Sequence, residues 1–298
     1  MSLPSKLKRY LLILEKIQRQ PSFAVLHDHL AEHGFELSHR TLQRDLERLR
    51  IDLGIEVEYD RPNNVYRIAE PNEEHDTVLQ LLERAQLLEL VGDDPKRVRE
   101  FAKHIDFEGL GRLQGLQHLS PLLRAIRERK EVVIMYRRFQ AAQSKEHRVR
   151  PQLLKEYHGR WYVLGWSKKY TRPITLGLDR IEGMHITSVR FAADKSRQLR
   201  DIVASMIGVD ASAERIETVL VRASADQAKY IRSLPWHSSQ QVEREDEEHV
   251  VFRFTLRPNY ELRQRILSCG AQVRLLEPRW LALEIRDMHK AAAALYKG

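Results

Sequence analysis

Two groups of side chains in this sequence have the types and spacing to hold bases and phosphates. The first is the run SHRTLQR, supplying Ser38, His39, Arg40, Thr41, Gln43 and Arg44. An arginine fork matches the O6/N7 edge of guanine, glutamine matches adenine, and serine or threonine serves any base or a phosphate. The second group lies around RWYVLGW, residues 160 to 166, where Tyr162 shares a segment with Arg148, Arg150, Arg160, Arg172 and Arg180. Aromatic faces stack on bases, and guanidinium groups neutralise phosphates while stacking themselves, so this set suits a single-stranded nucleic acid or a nucleotide. Signatures of catalysis are missing: there is no GxSxG, HExxH, P-loop or paired Cys/His framework. His27 and His29 are two apart on a helix, point to different sides and read as surface residues. Asp179 beside Arg180 reads as a strand-end ion pair. No catalytic residue, cofactor or metal is therefore assigned, and an enzyme that modifies nucleotides is the weaker of the competing classes.

Charge distribution supports the second group. The net charge of +8 over 298 residues is uneven. Residues 1–70 carry 11 basic and 11 acidic side chains, whereas residues 116–210 carry 19 and 9. A concentrated positive field attracts polyanions, the competing reading being a basic surface kept for solubility. Length points to two or three domains. No apolar run approaches the roughly 20 residues of a membrane span, and the N-terminus breaks its apolar positions with charges, unlike a signal peptide. The single cysteine, Cys269, has no internal partner and argues for a reducing, cytoplasmic setting without structural zinc.

The elements that must position the first group are legible. Leu7, Tyr10, Leu11, Leu14 and Ile17 recur at helical spacing. Ser22 caps a second helix with Leu26 and Leu30 on its stripe, and Gly34 stops it. Ser38 caps a third helix with Leu42, Leu46, Leu49 and Leu53 on one face, which turns Arg40 and Arg44 outward. IEVEYDRPNNVYRIA then reads as two short strands joined at Pro62, Asn63 and Asn64. Three helices and a hairpin make a winged helix-turn-helix over residues 1–70, with Arg61 and Arg67 placed to reach a flanking phosphate or the minor groove. The segment's zero net charge fits the alternative, an ordinary helical domain with a charged face. The stretch SHRTLQRDLERLRIDLGIEVEYDRPNNVYRI resembles the winged helix-turn-helix of DeoR-like bacterial regulators. That resemblance implies that Asp45 braces the helix or an arginine rather than touching DNA.

Residues 71–118 read as a helical linker, Leu-rich from 75 to 105, with a glycine-containing hinge at 107–118. Residues 119–210 follow as a helix and several short strands, suggesting a small barrel or strongly bent sheet. In RWYVLGW, alternation sends Trp161 and Val163 to one face and Tyr162, Leu164 and Trp166 to the other, one face being core and the other joining a site. The tyrosine at 136, the run Arg148–Pro151, the WYV at 161–163 and TLGLDRI at 175–181 resemble the WYL domain, an SH3-like or Sm-like barrel. Members usually read close to T-F-R-L-D-R-I at the last position; here Leu176 and Gly177 replace Phe-Arg. The resemblance implies a ligand-sensing domain and adds Tyr136 to the ligand set, with Arg172 as a stand-in for the lost arginine. Residues 211–298 alternate strands and helices as a compact α+β unit, similar to the dimerising C-terminal extension of WYL regulators.

The expectation is thus a multidomain α+β, cytoplasmic, homodimeric transcription factor, most simply a repressor. It would read an inverted repeat in double-stranded operator DNA under control of a nucleic-acid or nucleotide effector. Its domain order resembles repressors of anti-phage defence operons. An adaptor binding RNA or single strands through the basic domain is the alternative.

Overall fold

The computed structural model describes residues 5–69, 75, 77–82, 84–85, 114–170, 172–192 and 195–296. The chain divides into two compact units, Met1–Glu108 and Gly109–Gly298. Most of the expected linker lies outside the described residues. Residues 75, 77–82 and 84–85 of it are helical. No helix among the described residues is long and apolar enough to cross a membrane.

The first unit holds α1 (Ser5–Ile17), α2 (Phe23–Glu32), α3 (His39–Leu53) and a hairpin of β1 (Val57–Asp60) and β2 (Val65–Ile68), paired antiparallel. Ser22 Oγ accepts from the Val25 amide and Ser38 Oγ from the Thr41 amide, satisfying donors that a helix start leaves open. Gly54 ends α3 at φ +73°, the left-handed geometry that closes a helix without a Cβ clash. The leucine stripe of α3 is buried against Tyr10, Leu11, Leu14 and Ile17 of α1 and Leu26 and Leu30 of α2. Each such side chain stabilises the unit by about 1.5–3 kcal/mol. Leu12 and Ile13, outside the expected α1 stripe, are buried too, and the same core takes in Leu79 and Leu82.

In the second unit, α4 (Leu119–Glu128) precedes β3 (Lys130–Tyr136), β4 (Lys145–Tyr157), β5 (Arg160–Trp166), β6 (Ile174–Gly177) and β7 (Ile181–Arg190). These strands form an antiparallel sheet in the order β6-β5-β4-β3-β7. A small barrel or strongly bent sheet was expected; among the described residues β7 pairs with β3, and no pairing of β6 with β7 is seen. A 3-10 turn at Leu178–Arg180 separates β6 on one edge from β7 on the other. Val132, Ile134, Tyr136, Val149, Val163 and Leu176 fill one side, under Leu122 and Ala125 of α4. On the other side Leu164 packs with Leu199 and Val203 of α5 (Ser196–Ala204) and with Met206. RWYVLGW therefore faces two cores: Trp161 leans on the first and Tyr162 on the second. The face expected to join a site is largely covered by a helix.

The remainder is β8 (Glu217–Ser224), α6 (Ala225–Ser233), β9 (Gln241–Glu245), β10 (His249–Leu256), α7 (Tyr260–Ser268), β11 (Val273–Glu277) and α8 (Arg279–Ala294). Its antiparallel sheet runs β11-β8-β10-β9, the order of a split βαβ arrangement. Phe252 and Phe254 lie at the centre of its core. Strand β9 was not expected, because all five of its residues are exposed and no alternation marks it.

Candidate functional site

The first unit presents the α3 start to solvent. Arg40, Gln43 and Arg44 are exposed, on the side opposite buried Leu42, Leu46 and Leu49. No ion pair involves Arg40 or Arg44 among the described residues, so both guanidinium groups stand ready for an external anion. The other three predicted contacts are engaged internally. Ser38 Oγ caps the helix and lies 2.9 Å from Thr41 Oγ1, and the His39 ring sits 5.0 Å from Phe23 and 5.2 Å from His27. Asp45 is buried and accepts from Arg9 Nε at 2.8 Å, an arginine brace of the kind the resemblance implied. In the hairpin Arg61 is exposed, while Arg67 lies 3.4 Å from Glu58.

In the second unit three hollows, of about 250, 490 and 460 Å³, share one residue, Arg138. The first adds His147, Tyr170, Arg172, Thr175 and Asp210. The second adds Arg137, Phe139, Asp179 and Arg180. The third adds Tyr136, Lys145, His147, Lys169 and Tyr170. Two strand ends and two loops converge here, because β3 runs out at Tyr136 and the 3-10 turn after Gly177 brings Asp179 and Arg180 beside it.

The Arg180 guanidinium lies 4.8 Å from the Phe139 ring centre and 5.3 Å from that of Tyr136, and Arg160 stacks on the same Phe139 at 5.9 Å. Asp179 sits between the two arginines, 3.7 Å from Arg160 Nη1 and 3.5 Å from Arg180 Nε. Asp179 Oδ1 and Arg180 Nε, both buried, thus face each other as an ion pair that lacks hydrogen-bond geometry. The Tyr136 hydroxyl accepts from the Gly177 amide at 3.3 Å. Burial raises the pKa of Tyr136 and Tyr162, with Arg180 opposing it in both. Burial lowers that of His147, and Arg138, Lys169 and Lys145 add to the effect, so its imidazole is neutral at pH 7.

A Cβ at Gly177 would collide with Arg180 Nη2 and Asp179 Oδ1. The missing arginine of the TLGLDRI run is thus accommodated by Arg180, which lies across the space a side chain at 177 would need. Arg172, the expected stand-in, lines a different hollow.

Sequence comparison bears on this domain directly. The WYL domain matches residues 117–186 and the WCX domain residues 215–293. The chain is a WYL-domain protein. Its second unit contains both domains in succession, a WYL sheet followed by the split βαβ arrangement of the WCX domain. No curated protein matches the chain. Among solved structures, proteasome accessory factor B/C (PafBC) of Arthrobacter aurescens aligns at 18% identity and a TM-score of 0.35, covering 100% of this chain and 49% of that one. This chain thus spans about half the length of PafBC. A structure titled as that of a CRISPR Cas-related protein aligns at 11% identity and a TM-score of 0.42, covering 99% of this chain and 88% of that one.

Within the WYL domain, the six ligand residues named from sequence do not form one group. Tyr136, Arg172 and Arg180 line the hollows. Tyr162, across the β5–β6 pair from Gly177, packs beneath them on the α5 side. Arg148 and Arg150 flank buried Val149 on β4 and point to the opposite face, towards buried Glu131 at 3.8 and 3.9 Å. Sequence reading missed Arg138, Phe139, His147 and Tyr170. The signal was present in YRRF, where two arginines and an aromatic follow a strand's last tyrosine.

Histidines in the first unit also differ from expectation. His27 Nε2 lies 2.7 Å from the Leu37 carbonyl, and the His29 ring lies 4.4 Å from that of His33, inclined at 58°. Neither is simply a surface residue.

Proposed function

We propose that this WYL-domain protein is a ligand-responsive, DNA-binding transcriptional regulator. The observation that carries the reading is the pairing, in one chain, of two binding surfaces. One is the exposed Arg40, Gln43, Arg44 row on a Ser38-capped helix. The other is the arginine- and aromatic-lined groove of a WYL domain.

In this reading residues 1–70 act as a winged helix-turn-helix and α3 enters a major groove by its N-terminal turns. The groove around Arg138 and Arg180 takes a nucleotide or a short single strand, phosphates on the arginines and bases on Phe139 and Tyr170. The chain works as a homodimer on an inverted repeat, with residues 211–298 as the dimerising part. Ligand favours one dimer arrangement and so changes the spacing of the two reading helices. Repression of a defence operon is the specific role that the domain order favours.

Fluorescence anisotropy on duplex DNA from the gene's own upstream region, with and without short single-stranded oligonucleotides, tests this. Tight, sequence-specific binding released by the oligonucleotide is the expected result. Specific binding indifferent to oligonucleotides removes the ligand. Binding to RNA or single strands but to no duplex transfers the function to the WYL domain alone.

A further inference from the structure

The last turn of α2 gathers three groups that the DNA-binding reading does not use. His29, Glu32 and His33 stand at i, i+3 and i+4, so all three fall on one helix face. One potential ligand atom from each lies within 4.8 Å of the other two. The two imidazole rings are 4.4 Å apart and inclined at 58°, so they do not lie flat on each other.

Two further observations concern the rings themselves. His33 Nδ1 is 2.8 Å from the His29 carbonyl. A carbonyl only accepts, so Nδ1 carries the proton and the lone pair is left on Nε2. This is how metal-bound histidines are usually oriented, with the second nitrogen donating to a backbone carbonyl. His29 Nε2 is buried and has no hydrogen-bond partner. The position at a helix C-terminus, where backbone carbonyls point outward, favours a cation. Nearby Lys16 and Arg19 oppose one, and Glu32 supplies the compensating negative charge.

We propose that His29, Glu32 and His33 form a site for a divalent transition metal of zinc's class, with water completing the tetrahedron. Two imidazoles and a carboxylate are a borderline-soft donor set that suits zinc or cobalt and not calcium or magnesium. Filling it would staple the last turn of α2 to its C-cap residue, His33.

The test is a titration of the full-length, tag-free protein with cobalt(II), read by visible absorption, followed by displacement with zinc. The expected result is one equivalent of cobalt giving the intense bands of a tetrahedral ion, bleached by zinc. His33→Ala lies at an exposed helix end and is expected to fold as the parent does. It should weaken binding at least about tenfold, since even an outer partner of a metal ligand typically costs that much. Glu32→Gln should weaken it in the same direction, and the off-site variant His158→Ala should leave it unchanged. Binding that survives His33→Ala, binding lost equally in His158→Ala, or no stoichiometric cobalt spectrum overturns the proposal. A thermal melt of each variant without metal separates loss of the site from loss of the fold.

Discussion

Replacing Arg180 by alanine tests the groove most directly. Its guanidinium is already stacked on Phe139 and Tyr136 in the free protein, so those cation–π contacts are present before and after a ligand arrives. What binding adds is contact with a phosphate, a charge-assisted hydrogen bond worth about 1.5–3 kcal/mol. The expected loss in affinity for a short oligonucleotide is therefore roughly ten- to 150-fold. One phosphate contact fewer should also flatten the dependence of log K on log salt by about 0.7 for a single strand. Arg180→Lys is the informative companion: it keeps the charge, and with it the slope, but loses the planar fork and part of the affinity. Anisotropy titrations at four salt concentrations give both numbers. Duplex binding through α3 should be unchanged in either variant. An alanine variant that folds, binds oligonucleotide with parental affinity and keeps the parental slope would refute the assignment of Arg180 as a phosphate contact.

Arg44→Ala should weaken operator binding by about 1–3 kcal/mol and relax preference at one base position, leaving oligonucleotide binding intact; duplex competition assays read both. Asp45→Ala leaves Arg9 without its buried partner and should destabilise the first unit by about 3 kcal/mol, visible as a lower urea midpoint of the α-helical signal. The third variant concerns pH. With its folded pKa below the ordinary 6.5, His147 is neutral above that value and gains a proton as pH falls beneath it. A bound phosphodiester favours the protonated ring, so oligonucleotide affinity should rise as pH falls towards the range, lower than the ordinary one, in which the free ring gains its proton. His147→Gln should abolish that rise, and equal pH profiles for the two proteins would contradict it.

Helix starts and stops in the first unit were readable because they depend on neighbours in the chain. Ser22, Ser38 and Gly34 act within three or four residues, and the leucine spacing of α3 says which face turns inward. The strands of the WYL domain were readable from alternation in the same way. Strand β9 was not, since a fully exposed edge strand carries no hydrophobic period. Nor was the path between the last two strands of this sheet legible: a 3-10 turn at Leu178–Arg180 carries the chain from one sheet edge to the other.

By itself, the sequence determined which helix offers arginines to solvent and which segment concentrates positive charge, because periodicity and charge are local properties. Only the tertiary structure decided which arginines share a groove. Arg148, Arg150 and Arg180 look alike in the chain, yet strand alternation and the sheet's order send two to Glu131 and one to Phe139. His29 and His33 meet by their i, i+4 spacing, but only packing buried the unpartnered nitrogen of His29. Grouping of distant side chains depends on register and on which face each element buries, and a one-residue shift in either would exchange one set for another.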